Sequence, residues 1–479
     1  MEFPPLFVRE MQRLLGDAYP AFATALSQEP PVSIRTNPYK TTTTINDAWS
    51  RSSPIPWCDD GYYLEKRPSF TSDPLFHAGC YYVQEASSMF LEQIIRQYVT
   101  EPAICLDLCA APGGKSTLLS AVLPQNSLLV ANELIRSRAH ILVENLMKWG
   151  NPATIVTQQD PEEVGHIRQL FDVILADLPC SGEGMFRKNL QAIQEWSPAN
   201  VKLCAARQQR IISHVWPALK PGGILIYSTC TFNTLENEEN IRWMRDAFGA
   251  TPLPVDLRPE WKITGSLLED IPVFRFFPHL TKGEGFFIAV VRKPVEETSI
   301  FPSIFSSNKK VKKNKAPVQH IPEQVSSYIC SPEQYRISLQ ASDIIAFPAL
   351  HEEVYRRLNE KFRILSAGIR LGEIKGKDII PHHALAMSIA LNPAAFPSCE
   401  VDESIALQYL SREAIHAFPQ QLPRTYVLLT YQKHPLGFVK NIGTRANNMY
   451  PQEWRIRNKR LPLYDSLNNN NPTFNRTIE

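Results

Sequence analysis

The sequence predicts an α/β fold built on a mostly parallel, doubly wound sheet, and three observations predict it. Between residues 104 and 292, short apolar runs alternate with longer stretches of helical periodicity. Several of those runs end in an acid, a cysteine or a glycine-rich turn, where an open α/β sheet places its ligand. The last two runs, 274–278 and 286–292, have no helical stretch between them and read as a closing hairpin.

Taken in order, the expected strands are 104–108, 128–132, 153–157, 172–176 and 224–228, then the hairpin. The expected helices between them are 115–123, 135–149, 198–219 and 236–247. A helix before the first strand has Met89, Leu91, Ile94 and Ile95 as its apolar face. Residues 75–293 are therefore expected to form the catalytic core.

Residues 1–74 read as a small α+β module. Phe7, Met11, Leu14 and Leu15 recur at helix spacing, and 33–37 and 62–64 read as short strands. Trp57 is expected in the core and Arg35 in solvent. Residues 294–324 are rich in Ser, Pro and Lys, with Lys309, Lys310, Lys312, Lys313 and Lys315 close together, and read as a linker. A new compositional region spans 325–479. There, 352–365 and 382–390 read as helices and 368–375 as a short strand with a turn. Residues 426–431 and 436–440 read as a hairpin, and the Asn-rich tail after Asp465 as disordered. From Arg424 to Arg460 eight Lys or Arg face one acid, Glu453, with Tyr431, Phe438, Tyr450 and Trp454 interleaved. That mixture suits phosphate contact and base stacking.

Composition narrows the classes. The net charge of +2 favours no partner by itself. Nine cysteines at irregular spacing argue against a disulfide framework and for a reducing compartment. Cys105 and Cys109 lack a second pair, and His382–His383 is adjacent and reads as surface, so no metal site is expected. The first 20 residues lack the pattern of a signal peptide, and no apolar run is long enough to span a bilayer. A cytoplasmic location with no membrane contact is expected, and nothing indicates an obligate protein partner.

The site candidates cluster at the strand ends. Residues 107–116, Asp-Leu-Cys-Ala-Ala-Pro-Gly-Gly-Lys-Ser, follow a strand and open a helix. Small residues there let the backbone approach a ligand, and the helix N-terminus favours anionic groups. The stretch matches neither the dinucleotide nor the Walker pattern. Glu133 follows the next strand, Asp160 the third and Asp177 the fourth. Such a series of acids makes an adenosine-type pocket, in which an acid after the second strand takes the ribose hydroxyls. Two thiols, Cys180 and Cys230, lie at the ends of consecutive strands and are expected to face one site.

In these residues the chain resembles the Sun-type RNA cytosine-C5 methyltransferases. The matching stretches are 107–116, 132–133, Asp160, 177–184 with Arg187 and Lys188, and 228–231. Residues 368–373, 435–437 and 448–451 look like its RsmF-like branch. The resemblance implies a class I, Rossmann-like methyltransferase domain using S-adenosyl-L-methionine, followed by a PUA-like RNA-binding region. It implies RNA as partner, 16S rRNA or a small-subunit particle, methylated to 5-methylcytosine through a covalent adduct. Cys109, Ala110, Ala111, Pro112, Gly113, Gly114, Lys115, Glu133, Asp160 and Asp177 would hold the cofactor. Cys230 would attack, Asp177 would stabilise the adduct and Cys180 would assist release. A free thiol has a pKa of about 8.5, so nearby cations, Lys115 or Arg187, are expected to favour the thiolate. The alternatives are a tRNA cytosine-C5 methyltransferase and a silent RNA-binding assembly factor. The second would not need both thiols. A DNA enzyme is disfavoured, because that family uses only the thiol that follows proline.

Overall fold

The computed structural model describes residues 2–40, 52–295, 321–416, 418–419 and 421–457. Lys309–Lys315, Lys459, Arg460 and the Asn-rich tail lie outside them.

The central sheet has nine strands. Those from the core are β1 (Ile104–Asp107), β2 (Leu128–Asn132), β3 (Thr154–Thr157), β4 (Phe171–Asp177), β5 (Leu219–Thr229), β6 (Thr251–Leu253), β7 (Phe274–Phe276) and β8 (Phe286–Arg292). The spatial order is β6-β8-β5-β4-β1-β2-β3, with β7 paired on β8. Strands β1 to β5 are mutually parallel, and β8 runs antiparallel to β5. Consecutive residues of the parallel strands are buried because helices cover both faces. On one face Cys105, Leu129 and Leu175 join a core with Leu118 and Leu142. On the other, Leu106, Val130 and Ile174 join Ile212, Val215 and Ile241. The crossover helices are α1 (Gly114–Val122), α2 (Arg136–Trp149), α3 (Pro198–Val215) and α4 (Glu238–Phe248).

The ninth strand, β9 (Ile364–Ala367), comes from the C-terminal half and pairs antiparallel with β3. The helical pattern expected over 352–365 stops early, at Asn359. Ile364 and Leu365 then cover the apolar flank of β3, so an unpaired sheet edge overrides helical periodicity.

The N-terminal module has a four-stranded sheet ending on Tyr81–Val83. Trp57 is buried as expected, whereas Arg35 is 1% exposed rather than solvated. Its guanidinium donates to Gln84 Oε1 at 2.9 Å and Thr117 Oγ1 at 2.6 Å and lies 4.5 Å over the Trp149 ring. The strand's one cation thus clamps the module onto α1.

Two further four-stranded sheets follow β8. One holds Tyr335–Gln340, Asp343–Pro348, Ile369–Lys375 and Asp378–Pro381. The other holds Ser398–Glu400, Tyr426–Tyr431, His434–Asn441 and Ala446–Asn448, and contains the expected hairpin. The two histidines are not ordinary surface. His383 is 6% exposed, with Tyr450 and Trp454 edge-on to its ring. Tyr450 and Phe438 are core residues, and Trp454 lies against Lys148 Nζ at 5.1 Å. Two of the four interleaved aromatics, Phe438 and Tyr450, therefore pack inside the protein, while Tyr431 and Trp454 are half-buried. Of the basic residues, Arg424, Lys433, Arg445, Arg455 and Arg457 are exposed, while Lys440 is half-buried and pairs with Asp378 at 3.5 Å.

Among the described residues, no helix is long and apolar enough to cross a membrane, and no cluster could hold a metal ion.

Candidate functional site

The C-terminal ends of β1, β2, β4 and β5 lie at the same edge of the sheet. After β1 the chain turns through 108–113 and enters α1. Gly113 has φ +119°, a left-handed conformation that costs any other residue, and a Cβ there would press on Leu142 at 3.3 Å. Hydrogen bonds hold the turn from outside. Ala110 N donates to Asn132 O at 2.8 Å, Arg138 Nη2 to Ala111 O at 2.7 Å, and Asn145 Nδ2 to Pro112 O at 2.7 Å. Asn132 ties β1, β2 and β3 together, because its side-chain amide donates to Leu108 O and Gln159 O and accepts from Thr157 Oγ1.

Two buried acids in this cradle keep an oxygen without a hydrogen bond. Asp107 Oδ2 accepts from Ser116 Oγ at 2.6 Å, while Oδ1 has no partner. Glu133 Oε1 accepts from Ile135 N at 2.9 Å, while Oε2 has only Arg138 at 3.5 Å. Burial raises the Asp107 carboxyl to about 7, with Asp177 and Glu133 adding repulsion and Ser116 opposing. Buried acceptors left open beside a backbone cradle suit the hydroxyls and ammonium of a bound adenosyl amino acid. Asp160 is different. It is exposed, and its side chain caps the short helix Pro161–Val164 by accepting from Glu162 N at 3.0 Å.

Asp177 closes β4. Its Oδ2 meets Lys115 Nζ at 2.9 Å and its Oδ1 accepts from Ser228 Oγ at 2.7 Å. Burial works against the Lys115 charge, but Asp177 outweighs it and raises the ammonium's pKa. That lysine also feels Cys230. Arg187, the other expected cation, is spent elsewhere: it binds Glu284 Oε2 at 2.9 Å and the carbonyls of Gly283 and Ala25. Lys188 pairs with the same glutamate at 3.1 Å.

The two thiols meet. Cys180 Sγ lies 3.0 Å from Cys230 Sγ, and Cys230 N donates to Cys180 Sγ at 3.3 Å. The hydrogen bond to Cys230, with burial added, pushes the Cys180 thiol well up, so it stays protonated. Cys109 is half-buried in the cradle, and burial pushes its thiol up as well.

Sequence reasoning missed Glu183 and Glu236, both fully buried between the two thiol loops. The acid-rich run 236–239 reads as a solvated helix start, so only the third dimension shows the burial.

The chain matches three family models: 16S rRNA methyltransferase RsmB/F over residues 98–292, the N-terminal domain of 16S rRNA methyltransferase RsmF over 3–86, and the methyltransferase RsmF PUA domain over 396–456. It is 31% identical to ribosomal RNA small subunit methyltransferase F of Erwinia tasmaniensis, covering 94% of this chain and 96% of that one. The same-named protein of Salmonella arizonae is 32% identical, again over 94% and 96%. Among solved structures, a methyltransferase homolog protein from Pyrococcus horikoshii aligns with TM-score 0.53 and 29% identity, over 61% of this chain and 95% of that chain.

Proposed function

The chain belongs to the ribosomal RNA small subunit methyltransferase F family, and on that premise we propose that it methylates C5 of a cytosine in 16S rRNA through a covalent Cys–C6 adduct. The observation that carries the mechanism is the pair of thiols 3.0 Å apart at the ends of adjacent strands, beside Asp177 and Lys115. A lone packing cysteine would need no such partner.

C5 of cytosine is too weak a nucleophile to take a methyl group unaided. Cys230 adds through sulfur to C6, forming a C–S bond and turning C5 into an enamine-like carbon. Lys115, paired with Asp177 at 2.9 Å, keeps a positive charge in the site. S-adenosyl-L-methionine, held by 109–115 with Glu133 and Asp107, supplies an electrophilic methyl group. Asp177 stabilises the adduct at the N3 edge of the ring, accepting from N3–H once the ring has taken up a proton. After transfer the C5 proton leaves to a base, the C6–S bond breaks and Cys230 recovers its thiolate. Cys180 touches the attacking sulfur and is placed to assist this elimination. Asp160 acts at one remove, by capping the short helix Pro161–Val164 that follows β3. The exposed arginines and lysine of 424–457 supply phosphate contacts for RNA, and the protein works in the cytoplasm on rRNA or a small-subunit particle.

A denaturing gel with labelled RNA tests the division of labour. Cys230→Ala is expected to give neither adduct nor product. Cys180→Ala is expected to methylate once and stay bonded to its RNA as a slow-migrating band. Normal turnover of Cys180→Ala would remove that thiol from the mechanism, and a stalled band for Cys230→Ala would exchange the two roles.

A further inference from the structure

The loops that carry the two thiols are fastened to each other by two carboxylates, one from each loop. Glu183, three residues after Cys180, accepts from the backbone N–H of Phe232 at 2.7 Å and of Asn233 at 2.9 Å, both in the Cys230 loop. Its other oxygen accepts from Trp196 Nε1 at 2.9 Å and Asn233 Nδ2 at 3.1 Å. Glu236, six residues after Cys230, accepts in return from the backbone N–H of Ser181 at 3.0 Å, the residue next to Cys180. It also accepts from Gln208 Nε2 at 2.8 Å and Asn233 Nδ2 at 2.9 Å. A third link joins Ser181 Oγ to Thr231 Oγ1 at 2.9 Å, and a fourth runs from Gly184 N to Cys230 O at 2.9 Å. Gly184 has no room for a side chain, since a Cβ would lie 2.4 Å from Gly285 O.

Both glutamates are fully buried, and the donors they meet are backbone amides, carboxamides and an indole. Burying two carboxylates is an expensive way to fill space, and apolar side chains of similar volume would do it at lower cost. What a carboxylate provides is several acceptor positions in one rigid plane, so each loop is fixed at two or more points to the other. Neither thiol loop can shift without breaking a charged hydrogen bond that starts one to three residues from a sulfur.

We propose that Glu183 and Glu236 are reciprocal positioning residues that set the separation and aim of Cys180 and Cys230 for the adduct-forming and adduct-releasing steps. The inference rests on the reading of those thiols as attacking and releasing groups. Glutamine at either position keeps the shape but turns an N–H donor toward N–H donors, which pushes the loops apart. A misplacement of about 1 Å costs about 10²-fold in rate.

The test uses the full-length chain, small-subunit particles from a strain lacking the enzyme, and S-adenosyl-L-methionine. For Glu183→Gln and Glu236→Gln, cofactor affinity by calorimetry and KM for the particle are expected to stay within about twofold, while kcat falls by about 10²-fold. The fraction of enzyme trapped as adduct at steady state is expected to rise, because release needs both sulfurs. A folded variant with unchanged kcat overturns the inference, as does a kcat loss matched by an equal loss of cofactor affinity, which marks general damage. Where a glutamine variant does not fold, Thr231→Val takes its place, removing one cross-loop link and no charge. Its kcat is expected to fall by roughly threefold to tenfold at constant KM, the scale of one lost hydrogen bond, and a wild-type value overturns the inference. Failure of the underlying thiol assignment is read separately, from the absence of a stalled band in Cys180→Ala.

Discussion

Glu183 and Glu236 sit in the loops after β4 and β5, while Asp107 and Glu133 belong to the turns after β1 and β2. All four are buried, with exposures of 0%, 0%, 1% and 3%. They are treated in opposite ways. In the thiol loops every carboxylate oxygen is taken up by protein donors. In the cradle, Asp107 Oδ1 and Glu133 Oε2 lack a hydrogen bond. A buried acceptor without a donor costs free energy unless something else supplies one. Saturation is what a framework acid shows, and the open oxygens are what the proposed cofactor role of the cradle acids requires. The same sheet edge holds a saturated half, around the sulfurs, and a half with open acceptors.

The largest expected effect comes from emptying the framework. Glu183→Ala strands several buried donors at about 1–3 kcal/mol each, so unfolding free energy is expected to fall by about 3–5 kcal/mol in urea titration, with cofactor absent. A loss under about 1 kcal/mol would mean the saturated acids are not structural, and the comparison would break.

Glu133→Ala is expected to behave the other way. Stability without cofactor stays within about 1 kcal/mol, while calorimetric affinity for S-adenosyl-L-methionine weakens by about 1.5–3 kcal/mol. Unchanged affinity would assign the ribose contact to another residue.

The third effect is a pH dependence. The Asp107 carboxyl lies at about 7 in the folded protein against 3.8 ordinarily. Because the folded pKa is raised, the unfolded chain releases this proton first. Stability from this group is complete below about pH 4 and is lost as pH climbs toward 7. Asp107→Asn keeps the acceptor for Ser116 and is expected to flatten that part of the stability–pH curve in the cofactor-free protein. An equal slope in the variant would place the open oxygen's cost elsewhere.

The amino-acid sequence by itself determined the parallel sheet, because apolar runs and helical periodicity are local. Its cysteine and acid positions at strand ends were legible for the same reason, and with them the meeting of Cys180 and Cys230. The resemblance carried by 107–116, 177–184 and 228–231 supplied the chemistry. Only the tertiary structure decided which charges are buried. Arg35 reads as a solvated cation until Trp149, Gln84 and Thr117 are placed around it. Arg187 reads as a helper of the thiolate until Glu284 claims it. His383, Phe438 and Tyr450 read as surface or stacking residues until sheets and helices distant in sequence close over them. Residue 364 onward reads as the end of a helix until β3 offers an open edge. Periodicity reports what each segment prefers on its own. Burial of a charge, and the partner that makes it tolerable, can depend on residues far along the chain, as the 82 positions between Arg35 and Thr117 or the 97 between Arg187 and Glu284 illustrate.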